Sequence, residues 1–301
     1  MNPPEFRSTG GRDLYWALTS PGLLRHSLVV PDRWGQRELE HYGGLFRKLD
    51  HEDSVLNKAL RRSATTRLGE RFEILINTWI QEVPPARFLA ANWQVFGGQG
   101  TVGEFDLLFE RDRQIWHWEL AIKFYLGHPH FRRPRWYGPD PRDRLGLKWS
   151  KMKEKQLRLG ENEDAQKALR SLHIQGTPKP RAFLKGYLFE ALNQNYQVPL
   201  PKEANPQGLR GFWVHQKDWL SLKNLLEPHQ ELRWATLHKE RWMAPFVSRE
   251  ELHGVSSDAL LARIPAEIST MVVGFTKEEQ GLQEFTRGFI VPDRWPDLQN
   301  A

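Results

Sequence analysis

The chain has no cysteine in 301 residues, which excludes a disulfide framework, thiolate metal ligands and a thiol nucleophile. No apolar run approaches the roughly 20 residues that cross a bilayer as a helix. Residues 1–11 are polar and lack the apolar segment of a signal peptide. No Gly-rich phosphate loop or helicase motif is present, so an ATP-driven step would need a partner. These absences make the cytoplasm the expected location and a membrane an unexpected partner.

What is present points to a packed interior and a polyanion. Hydrophobic residues make up 39% of the chain, and its 13 tryptophans belong in a core or at a binding surface. The formal charge of +6 is uneven. Between residues 131 and 185, 15 Lys and Arg stand against 6 Asp and Glu. Such a segment suits nucleic acid, and it equally suits a solvated basic surface.

Hydrophobic spacing predicts helices and turns over 12–60 and an amphipathic helix over 68–83, ended by Pro84-Pro85. Gly97-Gly98-Gln99-Gly100 reads as a turn, and 101–109 alternates like a strand. Residues 115–126 give the clearest strand, with Trp116, Trp118, Leu120, Ile122, Phe124 and Leu126 on one face. The other face carries His117, Glu119, Ala121, Lys123 and Tyr125, so it should look toward water or a site. A Pro- and Arg-rich connection over 128–141 leads to a basic helix over 145–159 and a strand over 181–189. Further strands are expected at 211–214, 232–237 and 271–275. The reading is an α/β fold, a mixed sheet flanked by helices. It divides into an N-terminal helical extension (1–60), a core (61–200) and a C-terminal α+β extension (201–301). Val30-Pro-Asp-Arg-Trp34 recurs as Val291-Pro-Asp-Arg-Trp295, and a shared strand-ending turn is the favoured explanation.

Chemistry concentrates in Gly103-Glu-Phe-Asp-Leu-Leu108, Glu119 and Lys123. Adjacent strands can bring Asp106 and Glu119 together, and paired carboxylates repel unless a cation or proton relieves them. Hard oxygens without thiols suit Mg²⁺ or Mn²⁺. Lys123, on the face of Glu119, is the expected positive group. Lys148 and Lys153 on the following helix are the alternatives. Lys148, Lys151, Lys155 and Arg158 recur at spacings of three and four, and Arg132, Arg133 and Arg135 sit among aromatics. Both groups are candidate nucleic-acid contacts. His117 is a candidate support for Glu119.

These residues resemble a known core. Gly-Glu-Phe-Asp-Leu-Leu, a hairpin and then Glu119 are similar to the PD-(D/E)XK nucleases, closest to the Holliday-junction-resolvase-like type. The resemblance covers about residues 66–190. It implies a restriction-endonuclease-like core, with Asp106, Glu119 and Glu73 (in Arg71-Phe-Glu-Ile-Leu75) as metal ligands. It also implies a polar site residue at Gln156. More widely, Asp13-Leu-Tyr-Trp16, Ser20-Pro-Gly-Leu-Leu24, Trp118–Leu126, Gly138-Pro-Asp-Pro-Arg-Asp-Arg-Leu145 and Arg287-Gly-Phe-Ile-Val-Pro292 resemble a bacterial family, domain of unknown function family 1853. One departure stands out: the nuclease motif places lysine two residues after the acid, where this chain has Ala121. Lys123 is four residues on, roughly 13 Å along an ideal strand.

The expected activity is a metal-dependent phosphodiesterase on DNA, ahead of RNA. The alternatives are a catalytically inactive nucleic-acid-binding module, and a structural or regulatory scaffold whose carboxylates pair with arginines.

Overall fold

The computed structural model describes residues 6–84, 86–98, 100–130, 133–226, 232–245, 247–248, 254–278 and 281–297. Helices α1 (Thr9–Thr19), α2 (Arg33–Leu49), α3 (Val55–Ser63) and α4 (Leu68–Glu82) open the chain. Strands β1 (Arg87–Gly97), β2 (Gly100–Arg111), β3 (Gln114–His130) and β4 (Arg133–Tyr137) follow. Then come α5 (Leu145–Glu154), α6 (Glu163–Ser171), β5 (Lys179–Ala191) and β6 (Leu209–His215). The strands end with β7 (Arg233–Thr236), β8 (Val247–Ser248), β9 (Thr270–Glu278) and β10 (Gly281–Val291). The sheet is ten-stranded, ordered β1-β2-β3-β5-β6-β10-β9-β7, with β4 on β3 and β8 on β10. It is mixed: β1-β2-β3 is an antiparallel meander, while β5-β6 and β6-β10 are parallel. The expected mixed sheet with helices is what the chain forms. Among the described residues no helix is long and apolar enough to cross a membrane.

The chain clusters into two compact units that cut across the segments 1–60, 61–200 and 201–301. One holds residues 1–122, 149–185 and 205–207; the other holds 123–148, 186–204 and 208–301.

In the first unit the helical caps are local side-chain chemistry. Ser8 accepts from the Gly11 N–H and Ser54 from the Asn57 N–H, each satisfying an orphan donor of a helix start. The stripe Phe72, Leu75, Ile76, Trp79 and Ile80 buries α4 as the periodicity predicts. Asp112 and Arg113, with φ of 54° and 60°, make the two-residue turn between β2 and β3. Two left-handed residues match the twist of a hairpin. Val95, Phe105, Leu108, Leu159, Ala165, Leu169 and Ile174 form a buried cluster linking the meander to α6.

The second unit has its own core of Phe212, Val214, Trp219, Leu232, Trp234, Leu260, Ile264, Val272 and Ile290. Gly186 has φ of 138°, and a Cβ there would lie 1.7 Å from the Lys123 carbonyl oxygen. Only glycine permits that approach of β5 to β3.

Several expectations need correction. Sequence periodicity gave no strand at 87–97 or 281–291 and read 133–137 as a connection, yet β1, β10 and β4 lie there. The basic helix ends at Glu154, and a 3₁₀ turn covers Gln156–Glu161, because Lys155 leaves helical geometry (φ −123°, ψ −63°). The repeated pentapeptide is one turn used twice. Trp34 N–H donates to Pro31 O and Trp295 N–H to Pro292 O, each at 2.9 Å. Asp32 and Asp293 each accept a backbone N–H, from Gly22 and Lys217.

Candidate functional site

The antiparallel register lines up polar residues across the meander of the first unit. Ala91 pairs with Leu107 and Trp93 with Phe105, so Asn92 stands opposite Asp106. Leu107 pairs with Trp118, and one step further sets Asp106 opposite Glu119. The ladder gives way there, and the Asp106 carboxylate takes over a ladder role: its Oδ2 accepts the Leu120 N–H at 2.8 Å. A charge-assisted bond of this kind fixes the carboxylate against the strand.

Glu119 is completely buried. His117 Nε2 lies 2.8 Å from its Oε1, and Gln156 Nε2 donates to its Oε2 at 2.5 Å. Burial pushes His117 down to about 4, with Asp106 opposing, so its ring is neutral at neutral pH. Its edge also meets Phe105, with ring centroids 4.7 Å apart. His117 and Gln156 therefore hold Glu119, with Gln156 opening a 3₁₀ segment past the end of α5 rather than standing on it. Both faces of β3 are buried from His117 to Ile122, so the polar face does not look toward water there.

Glu73 enters from the half-buried side of α4. Burial first, then Asp106, pushes its carboxyl up to about 7, with Glu104 and Glu70 adding to the rise. The polar side chain of Asn92 opposes the shift. No ion pair holds Glu73 or Glu104 among the described residues. Asn92 was not singled out by sequence reasoning; an Asn between hydrophobic residues of an edge strand carries no recognisable motif.

Lys123 is placed otherwise than expected. Its ammonium donates to Asp143 Oδ2 at 2.7 Å, and the Tyr125 hydroxyl donates to Asp143 Oδ1 at 3.0 Å. Burial and then Asp143 push the Tyr125 hydroxyl upward, so it stays protonated. The loop after Tyr137 folds back on itself, Gly138 N–H to Asp143 O, and so delivers this acid to β3. Sequence spacing along one strand could not reveal an acid arriving from a loop 20 residues on.

The other predicted cations divide. Lys151 and Lys155 are exposed and make no ion pair among the described residues. Arg158 is exposed but tied to Glu161 at 2.8 Å. Because the helix ends before it, the four-residue basic stripe is broken. Lys148 is half-buried, and the Lys153 ammonium lies 5.1 Å from the Trp149 ring centroid. Arg135 is exposed on β4. Arg132 and the Arg133 side chain lie outside the described residues.

Hard carboxylate oxygens are the right donors for Mg²⁺ or Mn²⁺. Among the described residues, however, no three Asp, Glu or His side chains converge to hold a metal ion. The expected ligand set of Asp106, Glu119 and Glu73 is thus not a ready-made cage. Both Glu119 oxygens have hydrogen-bond partners and Asp106 Oδ2 accepts the Leu120 N–H, while the proximity of Asp106 raises the pKa of Glu73, an environment that favours positive charge. Mg²⁺ commonly keeps several waters and uses only one or two carboxylates, so the residues fit a cation on Asp106 and Glu73.

A pocket of about 460 Å³ lies within the second unit, lined by Trp242, Trp295, Pro139, Pro141 and Pro292 among others. Of its four acids, Asp140, Asp143 and Glu267 are held by Arg142, Lys123 and Arg294. None of the sequence-predicted site residues lines it.

A family model described as Domain of unknown function (DUF1853) matches residues 12–291. No curated protein and no solved structure matches the chain.

Proposed function

The chain belongs to the family described as Domain of unknown function (DUF1853), and from its carboxylate geometry we propose that it is a metal-dependent phosphodiesterase acting on DNA. The observation that carries this reading is the alignment of Asp106 with Glu119 across β2 and β3, with Glu73 brought beside Asp106. Asp106 and Glu73 would hold Mg²⁺ or Mn²⁺ there. The ion, when bound, supplies Lewis acidity toward a phosphodiester and lowers the pKa of a water.

The chain's own residues do the rest. The Leu120 N–H fixes the orientation of Asp106, and His117 and Gln156 fix Glu119. Glu73 near neutrality is protonated in part at pH 7, and a cation beside it would drive its proton off. Exposed Lys151 and Lys155 supply positive charge for phosphate oxygens. Lys123 is committed to Asp143, so the amine is sought on the part of α5 that lies in the first unit, at Lys153, three residues before Gln156. A cytoplasmic location accords with this substrate.

The test is calorimetric titration of Mg²⁺ and Mn²⁺ into wild type and Asp106→Ala. Cleavage of single-stranded, duplex and branched DNA is measured alongside, with Lys153→Gln included. Saturable binding and cleavage, both lost in Asp106→Ala, are expected. Equal binding in both proteins, or none in either, removes the basis of the reading. A second reading, an inactive nucleic-acid-binding module, is favoured by Ala121 at the expected lysine position and by the engagement of Lys123. Salt-dependent DNA binding without cleavage would select it.

A further inference from the structure

Asn92 has φ of 49° in the middle of edge strand β1, a left-handed backbone uncommon for a residue with a side chain. Asparagine is among the few types that visit this region. Its position coincides with a break in the pleat. In a regular strand, residues three apart point to opposite faces. Here Phe105 and Leu108, three apart on β2, are both buried in the same cluster. Ala90 and Trp93, three apart on β1, pack against that cluster as well. The two strands therefore change phase together, around Asn92 on one and around Asp106 on the other. Register survives on both sides of the break, from Ala90↔Leu108 to Trp93↔Phe105.

A joint phase change needs one residue able to adopt the left-handed conformation, and β1 provides it at Asn92. The Asn92 side chain also lies close enough to the Glu73 carboxyl to oppose the rise in that group's pKa. We infer that Asn92 is a positioning residue for the carboxylate site. Its backbone sets the irregular pleat on which Asp106 is presented, and its carboxamide holds the Glu73 carboxyl in place. This rests on the cation-binding reading above, and it adds a residue of the edge strand to that site.

Backbone and side-chain roles separate by substitution. Asn92→Gly keeps the left-handed backbone without strain and deletes the carboxamide. Asn92→Val removes the carboxamide and also resists the backbone conformation, since β-branched residues are outliers there. Mn²⁺ alone is titrated calorimetrically into wild type, Asp106→Ala and Asn92→Gly, and melting temperatures are recorded for all four proteins. For Asn92→Gly the expectation is an unchanged or higher melting temperature with Mn²⁺ bound up to about tenfold more weakly, the scale of one hydrogen bond. Asn92→Val should melt lower, and if it does not fold, Asn92→Gly decides alone. Wild-type Mn²⁺ affinity in Asn92→Gly overturns the inference while loss of binding in Asp106→Ala leaves the phosphodiesterase reading standing. Failure of wild type to bind Mn²⁺ overturns both.

Discussion

In the first unit eleven of the described polar or charged side chains are buried, among them Asp13, Glu38, His117, Glu119 and Lys185; in the second there are three, His215, Ser257 and Arg287. The second unit settles its buried charge completely. Arg287 pairs with Glu284, donates to the carbonyl oxygens of Trp242 and Ala244, and lies 4.8 Å from the Tyr187 ring centroid. The first unit does so at Asp13, held by Arg12 and Arg71, and at Glu38, held by Arg111 and the Trp79 indole. It leaves two strains. Lys185 is fully buried and pushed down to about 8 by burial, although Asp32 opposes the shift. Glu73 is pushed up to about 7 beside Asp106. A buried charge that is paired maintains a fold, whereas carboxylates set against each other need a proton or cation. That difference is why the functional proposal falls on the first unit, although a pocket lies in the second.

The comparison can be broken at four points. The largest effect is expected from Arg287→Ala, which removes the guanidinium that the nearly buried Glu284 pairs with. Unfolding free energy should fall by about 3–5 kcal/mol, as for other broken buried pairs. Calorimetric melting measures the loss, and Mn²⁺ affinity of the folded protein should be unaltered. A changed affinity would mean that the units do not divide structure from function.

Next, Asp106→Ala should lower cleavage at least about a hundredfold, the scale of losing one preorganised electrostatic group. Asp143→Ala releases Lys123 and Tyr125 in the second unit and should leave the rate within about twofold, an effect below 0.5 kcal/mol. Single-turnover cleavage compares the two. Similar losses would return Lys123 to the catalytic set.

The third test uses pH. Glu73 has a folded pKa near 7 against 4.5 in the unfolded chain, so folding disfavours its ionised form. Its stability contribution is therefore favourable below pH 4.5 and is lost as pH rises toward and through 7. For a partly exposed group the loss is discounted to roughly 1–3 kcal/mol. Denaturant melts of the cation-free protein at pH 5 and pH 8 should show it, and Glu73→Gln should flatten the difference. A wild type more stable at pH 8 by virtue of Glu73 would reverse the electrostatic reading.

The smallest effect concerns the exposed basic residues. Replacing Lys151, Lys155 and Arg158 with glutamine should weaken DNA binding and flatten the log–log salt slope by roughly 2, not 3, because Glu161 already holds Arg158. An unaltered slope would place the nucleic acid elsewhere.

Much of the fold was legible because it follows from local periodicity. The apolar stripe of α4 and the alternation of β3 located two elements that carry site residues, and the paired acids Asp106 and Glu119 were visible from strand spacing alone. Strand β1 was not legible, and the reason is the left-handed Asn92. It shifts the phase of Arg87–Gly97 so that no period of two runs through it. Strand β10 hid similarly, with its register shifting between Glu284 and Thr286.

The sequence by itself determined which side chains alternate along a strand or line a helix, since those periods come from backbone geometry within a few residues. It also determined the donor chemistry, hard oxygens with no thiol. Only the tertiary structure decided the partners. Lys123 went to Asp143 because a loop folds back between them, and Gln156 reached Glu119 because the helix stops at Glu154 and tightens into a 3₁₀ turn. Asn92 met Glu73 because an edge strand and a helix pack together. Such pairings are chosen by chain segments far apart in sequence, where desolvation and charge act through space and no local period records them.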